Sequence, residues 1–113
     1  MRIVVTNNPL VRDRLPESEF HDTDFIGVLK LVRDRIHIGH KLLTHPLSGS
    51  IKPGETPYKT VVISAEKSCL DLNALSIIEG SIQTCQKFVI KGNWGEKALA
   101  DFQLIDYDLV FNK

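Results

Sequence analysis

"KLLTHPLSGSIKPGETPYKTVVIS", residues 41–64, is the stretch on which the architecture turns. Its far end, "YKTVVIS" (Tyr58–Ser64), is β-branched and bounded by Pro57 and a polar cluster, and it reads as the strongest strand of the chain. "KLLT" (Lys41–Thr44) reads as another strand. The residues between them carry Pro46, Pro53 and Pro57 together with Gly49 and Gly54. That is too long for a hairpin turn and too apolar at its edges for a disordered linker. Three prolines restrict the unfolded loop, and a pre-stiffened loop loses less entropy on binding. Long loops in compact domains are usually functional, which places the candidate site here. A purely conformational reading stands beside it: Ser-Gly residues and Pro53-Gly54 make turns, and Thr44-His45-Pro46 ends a strand because the residue before proline is extended.

Upstream, "RIVV" (Arg2–Val5) reads as a buried strand that stops at Thr6-Asn7-Asn8-Pro9. Asn8 suits the N-cap and Pro9 the first position of a short helix to Leu15. "EFHDTD" (Glu19–Asp24) reads as a short second strand. Phe25, Val28, Leu29, Val32 and Ile36 form one helical stripe over Asp24–Ile38. Thr23 or Asp24 caps its start, and Gly39 ends it in the left-handed conformation. Leu31 and Ile38 lie opposite the stripe, as ordinary exposed apolar residues or as the contact of a homodimer.

Downstream, Ser68 and Asp71 resemble a capping box, followed by a long helix to about Val89 with Leu75, Ile78, Ile82, Cys85 and Val89 inward. Cys85 is thereby a core thiol. "KGNWG" (Lys91–Gly95) breaks the chain. Ala98, Phe102, Ile105 and Leu109 are spaced for a last helix, although "IDYDL" also alternates, so residues 96–112 admit a helix or a terminal strand.

Strands alternating with helices predict an α/β fold: one domain over residues 1–113, a three-layer open sheet, mainly parallel, of about four strands with helices on its faces. A chain of 113 residues is long enough for a core without disulfide staples. Fourteen basic residues balance fourteen acidic ones, which argues against nucleic-acid partners and a polybasic membrane anchor. No apolar run approaches a membrane span or a secretory signal, so a cytoplasmic protein is expected. In that compartment Cys69 and Cys85 are expected as free thiols.

Sheets of this class bind ligands beyond the carboxyl ends of their strands. Two such ends are rich in chemistry. Thr6, Asn7 and Asn8 follow the first strand and lead into a helix start, whose unpaired N–H groups suit an anion. Thr44 and His45, then Ser48, Gly49, Ser50 and Lys52, follow "KLLT". If the two strands are parallel neighbours, these residues form a pocket for a small anion or carboxylate, with Lys52 supplying the opposite charge. His45 is the candidate acid–base group, which would need a second group such as Asp22, Glu55 or Glu66.

Other chemistry is thinly represented. His37, His40 and His45 do not make a metal site, because a four-residue strand of about 13 Å separates the last two, and no Cys-x-x-Cys or His-Glu-x-x-His motif is present. No dinucleotide fingerprint, phosphate loop or nucleophile elbow occurs, so no cofactor is expected. Cys69 near a helix start is read as incidental rather than reactive.

"VVTNNPLV", "HKLLTHPLSGSIKPGETPYKTV" and "DFQLID" resemble the GrdX family, over nearly the whole chain. The resemblance implies a small cytoplasmic accessory protein encoded with the glycine reductase system of amino-acid-fermenting anaerobes. It implies no catalytic residue, and the chain carries no redox centre of its own. Two functions follow as expectations: a module that binds a small anionic or carboxylate ligand at the 44–57 loop, or an assembly factor for glycine reductase components that uses the same loop or Leu31 and Ile38. An enzyme using His45 is the third reading, and the balance leans away from catalysis.

Overall fold

Alternation along two short apolar runs organises the protein. A computed structural model describes residues 1–47, 56–87 and 94–111. Strand β1 is Arg2–Thr6, helix α1 is Pro9–Arg14 and strand β2 is Glu19–Phe20. Helix α2 is Phe25–His37, strand β3 is Thr60–Ser64, helix α3 is Leu72–Gln86 and helix α4 is Glu96–Phe111. The sheet order is β2-β1-β3, with β2 parallel and β3 antiparallel to the central β1.

Successive strand residues point to opposite faces. Val5 of β1 and Val61 and Ile63 of β3 point into one core with Val28, Leu29, Val32 and Ile36 of α2 and Ala74, Ile78, Ile82 and Cys85 of α3. Val4 and Val62 point the other way, into a smaller core with Val11 of α1 and Tyr107, Val110 and Phe111 of α4. The result is three layers: α2 and α3, the sheet, and α1 and α4. Arg14 stacks over the Tyr107 ring at 4.7 Å and ties the two outer helices of the smaller core. The short β2 is anchored by its Glu19, which pairs with Arg35 of α2 and with His21. Partial burial pushes the Glu19 carboxyl up, but the His21 hydrogen bond and the Arg35 guanidinium outweigh it and hold the carboxyl below its ordinary value.

The α/β class and the layers are as expected, and the sheet is not. Among the described residues it has three strands and is mixed, not mainly parallel with about four. "KLLT" runs along the outer edge of β3 and makes a single bridge, Leu42 to Ile63. The reason is local: the Leu43 and Thr44 N–H groups both donate to the Val62 carbonyl. The Val62 N–H is taken by the Thr44 Oγ1 at 3.0 Å. A side chain thus replaces the backbone group that a ladder would need.

Helix boundaries follow their caps. Asp24 caps α2 through Gly27 N–H, and Gly39 follows it with φ +110°. Asp71, not Ser68, is the N-cap of α3 and accepts from the Asn73 and Ala74 N–H groups. The proposed end of that helix at Val89 lies outside the described residues. Residues 96–111 resolve the last ambiguity as helix, with Ile105 exposed and Asp106 buried.

Candidate functional site

Polar residues at the carboxyl end of β1 are committed to holding the protein together. Asn7 Nδ2 donates to the carbonyls of Thr23 and Pro57 at 2.8 and 2.9 Å, and its Oδ1 accepts from Lys59 N–H at 2.9 Å. One amide therefore joins the end of β1, the approach to α2 and the approach to β3. Asn8 caps α1 by accepting from Leu10 N–H at 3.0 Å, while its Nδ2 donates to the Gln103 carbonyl and to Asp106 Oδ2 in α4. Both asparagines are buried, and an amide in such a place is stable only with its bonds made.

Thr6 and Thr60 face each other across the β1–β3 pairing. Their hydroxyls are 2.8 Å apart, and Thr60 donates to Asp106 Oδ2 at 2.6 Å. Asn8 N–H donates to Thr6 Oγ1 at 2.9 Å. Donors thus run in one direction, from Asn8 N–H through Thr6 and Thr60 to Asp106. Burial pushes the Asp106 carboxyl above its ordinary value, against the hydrogen bonds from Thr60 and Asn8 and the nearby charge of Lys59.

Beyond this network the surface opens into a small cleft of about 20 Å³ between the start of α2, the residues leading into β3, and α4. Phe25, Leu47, Phe102 and Leu109 give it apolar walls, and Thr56, Tyr58, Lys59 and Asp106 give it polar groups. Lys59 is 6% exposed, and its ammonium makes no hydrogen bond or ion pair with a described residue. Its one described partner is the Phe25 ring, 6.0 Å from the Nζ. Burial lowers the Lys59 pKa, while Asp106 and the Cys85 sulfur pull it back. Tyr58 OH accepts from Gln103 Nε2 at 3.0 Å, which leaves its own proton to donate. Thr56 Oγ1 accepts from Tyr58 N–H.

The sequence-derived candidates fall in three places. Thr6, Asn7 and Asn8 lie at the end of β1, under the cleft, with their side chains bonded inside the protein. Thr44 is bonded to β3, and His45 is exposed, its Nδ1 accepting from Leu47 N–H at 3.1 Å. Because β3 lies between β1 and the "KLLT" segment, the two sets are not neighbours. Ser48, Gly49, Ser50 and Lys52 lie outside the described residues, as does Glu55. Among the described residues of the loop, Leu47 and Thr56 reach the cleft.

Phe25, Tyr58, Lys59, Phe102, Asp106 and Leu109 are what sequence reasoning passed over. One signal was present: Lys59 is the charged residue inside the most apolar strand stretch. Asp106 had none, since Asp101, Asp106 and Asp108 look alike in the sequence.

Elsewhere, His40 is buried with its Nδ1 2.7 Å from the Ser64 carbonyl, a structural bond. Cys69 and Cys85 are unbridged, and burial pushes the Cys85 thiol up to about 11, consistent with an inert core thiol. No group of three potential metal ligands occurs among the described residues. No described helix is long and apolar enough to cross a membrane.

No curated protein and no solved structure matches the chain. A family model, GrdX, described as GrdX-like protein, matches residues 3–113. The match takes in α2, the residues leading into β3 and the whole of α4, which together frame the cleft, and the chain belongs to the GrdX-like family.

Proposed function

We propose that the protein is a non-catalytic cytoplasmic accessory module that binds a small carboxylate or other small anion in the Lys59 cleft. The observation that carries this reading is the Lys59 ammonium, buried beside apolar walls with no anion paired to it among the described residues. A buried charge is costly unless paired, and an anionic ligand supplies the missing partner. Tyr58 OH adds a donor with its proton unused, and Thr56 adds a hydroxyl. The family resemblance supports reductive glycine metabolism as the setting. His45, exposed and with no carboxylate bonded to it among the described residues, offers little support for acid–base catalysis.

A second reading, an assembly factor for the reductase components, is favoured by one feature. Ile38 stays exposed at the end of α2, and Leu70 and Leu72 are exposed at the start of α3. Gly39 contacts Ser68 and brings these two regions together.

Thermal unfolding of the wild type and of Lys59→Met separates the readings. The panel is phosphate, sulfate, acetyl phosphate, glycine, sarcosine, betaine and common nucleotides. A ligand at a hundred times its Kd adds about 2.7 kcal/mol, which is about 10 °C for a domain of this size. The expected result is a shift in the wild type that Lys59→Met loses. A folded wild type that responds to no compound would overturn the ligand reading and leave the assembly reading, tested next by complex formation with the reductase components.

A further inference from the structure

Lys59 and Asp106 carry opposite charges on one cleft, and each is nine-tenths or more buried, at 6% and 5% exposed. They feel each other's field, yet no direct ion pair joins them. We propose that the occupant of the cleft is a zwitterion, an α-amino acid with an apolar side chain, its carboxylate on Lys59 and its ammonium on Asp106. This deepens the ligand reading above and rests on it.

The argument is one of charge matching. A plain anion would satisfy Lys59 but lie against the Asp106 carboxylate, and like charges at short range repel strongly where water is excluded. A plain cation would do the reverse. A molecule that bears both charges a few bonds apart satisfies both groups and leaves the net charge of the site unchanged. Without a ligand, burial drives both groups towards their neutral forms, lowering Lys59 and raising Asp106. A zwitterion opposes both tendencies at once.

The remaining lining fits the same occupant. Tyr58 OH has a proton to give a carboxylate oxygen. Phe25 and Phe102 line the cleft and supply aromatic contact for the side chain. Leu47 and Leu109 supply apolar contact and no further charge. Asp106 is held in place by Thr60 and Asn8, so the acceptor is oriented before any ligand arrives, which limits the entropy lost on binding.

The test is calorimetric titration of the full chain with leucine, isocaproate and isoamylamine. These share one side chain and carry both charges, the carboxylate alone and the ammonium alone. Wild type, Asp106→Asn and Lys59→Met are compared, each first checked for cooperative unfolding. Leucine is expected to bind the wild type about tenfold or more tighter than either analogue, because each lost charge removes a charge-assisted hydrogen bond. Asp106→Asn should bring leucine and isocaproate to equal affinity, and Lys59→Met should lose both. Isocaproate binding the wild type as tightly as leucine would overturn the zwitterion and leave the anion site standing. Phosphate or acetyl phosphate binding through Lys59, with all three titrants silent, would do the same. Silence from these three and from the whole panel would overturn both readings.

Discussion

Asp106 is buried at the centre of the α4 contact and accepts from Thr60 and Asn8. Burial is the largest influence on its carboxyl and raises the pKa above the ordinary value despite those donors. The folded protein therefore binds this proton more tightly than the unfolded chain does. Its stabilising effect is fully present below the unfolded value and is lost as pH rises towards the folded one. Asparagine keeps an oxygen for both donors and never ionises. Asp106→Asn should thus match the wild type below about pH 4 and exceed it increasingly as pH rises, by about 1.4 kcal/mol for each unit of the shift. Denaturant unfolding across that range measures the difference, and a constant or shrinking gap would contradict the assignment.

Element boundaries are set by single residues whose backbone or side chain has no substitute. Gly39 leaves α2 with φ +110°, and a Cβ there would lie 2.3 Å from the Ser68 carbonyl oxygen. Both the conformation and the contact exclude a side chain, since alanine at positive φ is strained. Gly80 sits inside α3 with nothing within 4 Å of a Cβ built on it. Gly39→Ala should therefore destabilise by about 2 kcal/mol, whereas Gly80→Ala should stabilise by about 0.5–1 kcal/mol through helix propensity. The pair, measured by thermal unfolding, separates glycine demanded by geometry from glycine merely tolerated. The helix stripe of α2 was legible because Val28, Leu29, Val32 and Ile36 repeat at helical spacing and all four are buried. That of α4 was not. Its Ala98, Phe102, Ile105, Leu109 spacing is equally regular, but its helix is turned so that Asp106 faces the sheet and Ile105 faces outward.

Across the molecule, the polar network does what a larger apolar core would otherwise do. Among the described residues, the smaller core beneath α4 holds few buried apolar residues, namely Val4, Val11 and Val62. Thr60, Asn8 and Asp106 connect α4 to β3 and to the end of β1 over long sequence separations. Thr60→Val removes the donor to Asp106 and leaves a buried carboxylate short of a partner, at a cost of about 1–3 kcal/mol. Hydrogen exchange should show the loss unevenly. The α4 amides should lose protection, while those of α2 and α3, packed on the opposite face, keep it. Uniform loss across all helices would mean that α4 does not open as a separate unit.

Local chemistry is what makes part of the fold legible in the sequence. β1 and β3 are β-branched, the caps at Asn8 and Asp24 are short polar side chains, and Gly39 stands where a helix must end. Propensity, capping and periodicity act within a few residues, so they leave a trace in a few residues. The partner of β1, the failure of "KLLT" to become a strand and the meeting of Lys59 with Asp106 depend on groups distant in the chain. Thr44 intercepts a backbone donor 18 positions away, and Thr60 and Asp106 are 46 apart. Such contacts are set by how layers pack and by which buried polar groups must find each other. An open sheet with helices on its faces was therefore written along the chain, whereas Lys59 and Asp106 came to line one cleft only when α4 docked on the sheet.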